Sequence, residues 1–233
     1  QGAHAINEGR LPDFSSESAH QDLYYIEAEE DTRALSLILK MVTQSIPEKF
    51  NVDPFKDIQV LTPMQKGTLG AKNLNIALQQ QLNTTHEKVD TYGVSFRVGD
   101  RVMQTVNDYD KEVYNGDLGT IEKIDSVNRC VDIGFDNKRI SYDFRELDAL
   151  VHAYAITIHK SQGSEYPVVI IPVHTQHYVM LQRSLIYTAL TRAKACAIFI
   201  GTKKALRLAV GRASETQRNT LLKAHVEYVI AHN

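Results

Sequence analysis

A short polar segment set between two apolar runs constrains this chain more than any other feature. Ala153–Ile158 reads as a strand; His159-Lys160-Ser161-Gln162-Gly163-Ser164-Glu165 follows it, and after Pro167 the chain returns to a fully apolar run, Val168–Val173. Strands buried on both faces read as continuous apolar runs and belong to parallel sheets covered by helices. A loop this polar between two such strands has no packing role. Loops at the ends of parallel strands are where α/β proteins hold ligands. The plainer alternative is a polar turn with a structural glycine and a serine cap.

The rest of the chain is consistent with that class. Residues 1–12 read as the end of a helix, with Gly9 and Pro12 as stop signals. Asp22–Ala28 is a strand. Glu29–Ile46 is a helix, with Leu35, Ile38, Met41, Val42 and Ile46 at helical spacing, and Pro47 is expected to end it. Ile58–Leu61 is a short buried strand and Ala71–Leu82 a helix. Val151–Ile158, Val168–Val173 and Ala195–Gly201 are strands, with a helix over Tyr178–Arg192. Helices Lys203–Val210 and Ser214–Ile230 close the chain. Between the two halves the rhythm changes. Ser95–Val98, Arg101–Val106, Leu118–Ile124, Cys130–Phe135 and Lys138–Tyr142 are short strands separated by turn residues, the pattern of a small all-β barrel.

Charge is unevenly distributed. Residues 151–233 carry ten Lys and Arg against three Asp and Glu, although the whole chain has a net charge of −2. A basic C-terminal third that contains the polar loop points to an anionic ligand, a nucleotide or nucleic acid, or else to a solvated basic face. No apolar run approaches the roughly 20 residues of a membrane span, which leaves no membrane role to expect. Two distant cysteines, Cys130 and Cys196, suit a reducing, cytoplasmic setting. The chain starts at Gln1, as a fragment or processed chain would.

Three tempting motifs fail on spacing. Gly67, Gly70 and Lys72 have the wrong order for a Gly-x-x-x-x-Gly-Lys-Ser/Thr phosphate loop, and that string occurs nowhere in the sequence. Asp108, Asp110 and Glu112 begin like a calcium loop, but Val113 and Gly119 stand where it needs Gly and Glu. His174 and His177 have no third ligand, so no residue is assigned to a metal. More specific is Tyr187-Thr188-Ala189-Leu190-Thr191-Arg192-Ala193-Lys194, the end of a helix leading into a strand. Arg192 there either complements the helix dipole or is held out toward a γ-phosphate.

In order and spacing these strings resemble a known family. "TIHKSQGSE", followed about 20 residues later by "LIYTALTRAK", resembles motifs V and VI of superfamily 1 helicases. "QVLTPMQKGTLGAKNLNIALQQQLN", "FRVGDRVMQTVNDYDKEVYNGDLGTIEKID" and "HAYAITIHKSQGSEYPVVIIP" resemble the C-terminal half of RecD-like, superfamily 1B DNA helicases, as does the short "AHAINEGRLP". The similarity covers nearly the whole chain.

The resemblance implies a RecA-like parallel-sheet domain without its own phosphate loop, formed by residues 1–92 and 149–233 and interrupted by an SH3-like barrel over 93–148. It implies ATP-driven 5′-to-3′ translocation on single-stranded DNA. Arg192 would face the ATP γ-phosphate, with Gly163 and Glu165 on the nucleotide side. Thr157, His159 and Lys160 would touch DNA or couple it to ATP. Thr62, Gln65 and Lys66 of the TPMQKG loop, and Asn107, Tyr109 and Asn115 on a barrel hairpin, would be further DNA contacts. ATP and Mg²⁺ would be held mainly by an N-terminal motor domain of the same protein, the chain's first partner; exonuclease subunits are further possible partners. Two rival readings remain: a non-catalytic single-stranded DNA-binding or protein-interaction module, and a nuclease subunit, for which no clustered carboxylates speak.

Overall fold

The computed structural model describes residues 2–14, 22–136 and 138–212. In chain order, helix α1 (Gly2–Asn7) leads to strand β1 (Leu23–Glu27), helix α2 (Asp31–Lys40), a π-helical turn over Met41–Ser45, helix α3 (Ile46–Phe50), β2 (Ile58–Thr62) and α4 (Ala71–Leu82). Seven short strands follow: β3 (Lys88–Thr91), β4 (Val94–Arg97), β5 (Arg101–Gln104), β6 (Leu118–Asp125), β7 (Cys130–Phe135), β8 (Lys138–Asp143) and β9 (Leu150–His152). The chain then runs through β10 (Ala155–Thr157), β11 (Tyr166–Val173), α5 (Arg183–Leu190), β12 (Ala193–Gly201) and α6 (Lys203–Gly211). The predicted helix over Ser214–Ile230 lies outside the described residues.

The larger sheet has the order β1-β12-β11-β2-β10, and every neighbouring pair is parallel. Its strands alternate between two apolar layers, as the two-residue strand period requires. Val169, Ile171, Val173, Ala197 and Phe199 face α1, α5 and α6 through Ile6, Ile186, Ala189 and Leu206. Val168, Ile170, Ile198 and Ile200 face α2 and α4 through Ala34, Ile38, Leu74 and Leu78. The expected α/β class is thus the one the chain adopts.

The all-β part is a five-stranded antiparallel sheet of order β8-β7-β6-β5-β9 around Val102, Ile121, Val131, Ile133 and Tyr142. Its membership corrects the strand assignments. Val151–Ile158 is not one strand: β9 pairs with β5, whereas β10 pairs with β2. The Gln59 amide donates to both Ala153 O and Tyr154 O, at 3.2 and 3.1 Å, and holds the break between them. Residues 95–97 leave the barrel sheet and pair with β3 as a separate hairpin.

Two helix boundaries also differ. Pro47 does not end its helix. The Ile46 N–H reaches back five residues to Met41 O, and this wider turn brings Pro47 into the first turn of α3, where no N–H is needed. The helix ends instead at Asn51, in the left-handed region at φ 52°. The helix expected over Tyr178–Arg192 begins only at Arg183, after a 3₁₀ turn over Thr175–Met180.

A fully buried carboxylate joins the two sheets. Asp100 accepts hydrogen bonds from Gln79 Nε2 (2.6 Å) and Asn83 Nδ2 (2.7 Å) on and just after α4, from the Arg97 N–H (2.7 Å), and from the Tyr154 hydroxyl (2.8 Å). His152 Nε2 lies 3.0 Å from its second oxygen. Burial alone would raise the Asp100 carboxyl; His152, the Arg97 N–H and the Tyr154 hydroxyl outweigh it and hold the group below the ordinary carboxylate value.

The 3₁₀ turn after β11 buries His177. Burial, with a smaller push from His174, lowers His177 from 6.5 to about 4. The folded protein therefore keeps it neutral while the unfolded chain takes up a proton first. Its contribution is fully present above the unfolded value and is lost as pH falls toward the folded one, amounting to about 3 kcal/mol by pH 4. Urea midpoints measured from pH 7 to pH 4.5 should fall, and His177→Phe should flatten that fall. An unchanged slope in the variant would place the acid sensitivity elsewhere.

Candidate nucleotide and nucleic-acid site

The polar loop runs from the C-terminal ends of the parallel strands to their N-terminal ends, from edge strand β10 to central strand β11. It leaves the C-terminal end of β10 and must enter the N-terminal end of the parallel strand β11. Thr157 precedes a 3₁₀ turn over Ile158–Ser161. The buried Ser161 hydroxyl donates to Ile158 O at 2.7 Å, and the Ser164 N–H donates to Ser161 O at 3.1 Å. Between them Gly163 sits at φ +88°, where a side chain would be strained even though the space around it is open. The loop thus begins on the side of the β2 loop and ends beside Arg192.

Arg192 closes the other end. It follows α5 directly, and its carbonyl accepts the Tyr166 N–H at 2.8 Å, which ties the start of β11 to the start of β12. Its guanidinium donates to Ser164 O at 3.1 Å, to Thr188 O at 3.3 Å and to the Thr191 hydroxyl at 3.3 Å. No carboxylate pairs with it among the described residues. The bond to Thr188 O satisfies a carbonyl of the last helical turn, so dipole complementation is real here. The same fork, half-buried and free of a counter-ion, suits an anion. Exposed Glu165 and Lys194 stand nearby with 3.9 Å between their charged atoms. This edge, with Gly163 open to solvent, fits a nucleotide phosphate and sugar. Among the described residues no group of three His, Cys, Asp or Glu could hold a metal ion.

On the opposite side of the loop lies a groove of about 500 Å³ between α4, the β3–β4 hairpin and β10. Lys72, Lys160 and Arg97 line it with Gln65 and Thr157, and among the described residues no carboxylate does. Asn75 fixes one wall: its amide donates to Ala155 O and its carbonyl accepts the Ala155 N–H, both at 2.8 Å. The side chain thereby pairs with edge strand β10 as another strand would. Lys72, Ile76 and Gln80 are spaced four residues apart along the exposed face of α4.

The predicted residues separate into groups. Gln65, Thr157 and Lys160 come together in this groove. Lys66 is exposed on the same loop as Gln65. Thr62 is corrected: it is fully buried and its hydroxyl donates to Leu69 O at 2.6 Å, so it braces the loop and does not reach a ligand. His159 lines a separate cavity of about 340 Å³ with Gln162, Gln182, Ser184 and Thr188. Asn107 and Tyr109 line a third cavity against the 3₁₀ turn Phe144–Ala149, and Asn115 is tied to Asn107 by a 2.9 Å bond. Lys72, set aside above as a phosphate-loop lysine, and Arg97, which the sequence did not single out, are both groove residues. The four-residue spacing of Lys72, Ile76 and Gln80 is legible in retrospect; the place of Arg97 is not, because only the β3–β4 pairing sets it.

Comparisons with known proteins identify the family. Residues 74–135 match the family described as the ATP-dependent RecD-like DNA helicase SH3 domain, and residues 152–200 match the UvrD-like helicase C-terminal domain. The chain is 34% identical over 223 residues to the ATP-dependent RecD2 DNA helicase of Deinococcus radiodurans, an alignment covering 96% of this chain and 29% of that protein. It is 30% identical over 171 residues to the RecBCD enzyme subunit RecD of Haemophilus influenzae, covering 70% of this chain and 24% of the subunit. The chain thus spans less than a third of the length of these relatives. In fold it is similar to a Pif1 helicase from Bacteroides solved with ADP-AlF3 and ssDNA, with a TM-score of 0.53 at 17% identity over all of this chain and 53% of that one. A Pif1 helicase from Candida albicans gives a TM-score of 0.50 at 13% identity, over 97% of this chain and 56% of that one. The chain belongs to the RecD-like DNA helicases, of which it carries the SH3 domain and the helicase C-terminal domain.

Proposed function

We propose that this chain is the C-terminal motor part of an ATP-dependent 5′-to-3′ DNA helicase. Residues 1–92 and 149–233 act as one motor domain around the insertion 93–148. The observation that carries this reading is the loop 157–165, which has a cationic groove at its start and the carboxylate-free Arg192 at its end. A single strand runs through the groove, with phosphates on Lys72, Lys160 and Arg97 and sugars against Ile76. ATP lies at the opposite edge, where Arg192 meets the γ-phosphate and Glu165 the ribose; the preceding motor domain supplies the phosphate loop and the Mg²⁺ ligands. Asn107, Tyr109 and Asn115 are left off the strand path, because acidic residues surround them.

Salt dependence tests the groove. A labelled oligothymidine titrated at several salt concentrations should bind less tightly as salt rises, because each neutralised phosphate releases counterions. Lys72→Gln should weaken binding and lower the slope of log K against log salt by about 0.7, one phosphate contact on a single strand. Binding that ignores salt, or a slope unchanged in Lys72→Gln, would remove the strand from this groove.

A further inference from the structure

The hairpin between β5 and β6 presents an apolar surface that neither the groove nor the nucleotide edge uses. Tyr109 is 74% exposed, Val106 53% and Tyr114 45%, and the two tyrosine rings meet edge to face at 6.0 Å. This is no loose loop. Asp108 and Val113 form a bridge across it, and Asp108 also accepts the Lys111 N–H at 2.9 Å. Between the hairpin and the 3₁₀ turn Phe144–Ala149 lies a cavity of about 530 Å³. A braced, exposed aromatic pair, one ring of which lines a cavity, marks an interaction surface.

Charge selects the occupant. Asp110 and Asp148 line the cavity and form no ion pair among the described residues. Arg145, the one cationic lining residue among those described, is already paired with Asp143 at 3.0 Å. Phosphates would meet uncompensated carboxylates here, which disfavours a nucleic-acid backbone. The surface already holds one cation of its own. The Lys111 ammonium sits 5.2 Å from the centre of the Tyr142 ring, 2.6 Å from Glu146 and 3.3 Å from Asp108. Exposed Tyr109 beside Asp110 repeats that combination, ring and carboxylate, with the cation missing.

We propose that this cavity is a docking site for an arginine-bearing segment of a protein partner. A guanidinium stacks on Tyr109 and pairs with Asp110 or Asp148, while the aliphatic stem lies on Val106. A planar guanidinium gains from ring and carboxylate together, so arginine is preferred to lysine.

The test uses this protein and three fluorescein-labelled probes: a peptide of alternating glycine and arginine, its lysine counterpart, and an oligothymidine. Fluorescence anisotropy should show the arginine peptide bound more tightly than the lysine peptide. Tyr109→Ala and the double variant Asp110→Asn/Asp148→Asn should each weaken it by about tenfold or more. All three changed side chains are exposed, and thermal melts check that the variants stay folded. Glu87→Gln, at an exposed carboxylate just before β3 that does not line the cavity, should change nothing. Oligothymidine binding should survive Tyr109→Ala. The proposal is overturned if the arginine peptide does not bind, if Glu87→Gln weakens it as much as the double variant, or if Tyr109→Ala abolishes oligothymidine binding instead, which would make the hairpin a DNA contact.

Discussion

In the full-length protein, Arg192→Ala is expected to lower DNA-stimulated ATP turnover by about 10³-fold or more, the range found when a γ-phosphate arginine is removed. The size follows from where the charge acts. A guanidinium directed at charge that develops in the transition state lowers the barrier without tightening substrate binding equally. Strand affinity should survive, because Arg192 is not among the groove-lining residues. Stability should survive too: the side chain is half-buried and, among the described residues, has no carboxylate partner and bonds only to the carbonyls of Ser164 and Thr188 and the Thr191 hydroxyl. Arg192→Lys should recover little, since a point charge cannot hold Ser164 O and a phosphate together as a fork can. Steady-state ATPase with saturating single strand, beside a binding titration, separates these outcomes. Near-normal turnover in Arg192→Ala would reduce the residue to a helix cap.

The second large effect is on folding. Asp100→Ala should destabilise the protein by about 3–5 kcal/mol, the cost of removing one member of a buried, hydrogen-bonded charged group. Its loss leaves Gln79, Asn83, Tyr154 and His152 without their shared acceptor in a place water does not reach. These donors come from α4, the residue after it, β9 and the break between β9 and β10, so the damage should concentrate where the two sheets join. Asp100→Asn keeps the shape and half of the accepting capacity and should cost less. Chemical denaturation of the three proteins orders them. A loss below about 1 kcal/mol in Asp100→Ala would mean that water or a rearranged side chain replaces the carboxylate.

The parallel sheet was legible because local pattern and tertiary role coincide. Val168–Val173 is apolar without interruption and lies deep in the sheet between β12 and β2. Where they diverge, the sequence misleads. Val151–Ile158 looks like one strand, but Gln59 and Asp100, far away in the chain, break it at Ala153 and Tyr154. Pro47 signals a helix end only for an ordinary α-helix, and the π turn before it removes the conflict. At the site, the loop and Arg192 could be read from their motifs. Their contact through Ser164 O could not, nor could the meeting of Lys72, Arg97 and Lys160, which lie on a helix, a hairpin and a loop that only packing brings together. Thr62 shows the reverse error: a polar residue in a promising motif whose hydroxyl is consumed by the backbone of its own loop.

We propose that the loop 157–165 transmits strand binding at the groove to Arg192. Gly163→Ala in the full-length protein tests this most directly. No described residue lies within 4 Å of the added methyl group, but φ +88° is unfavourable for alanine, so the substitution acts on the backbone turn that brings Ser164 O to Arg192. ATPase is measured against oligothymidine concentration for wild type and variant, with strand affinity measured separately. The expected result is unchanged strand affinity with most of the stimulation lost. Full stimulation at unchanged affinity would contradict the claim, because groove and arginine would then communicate by another route.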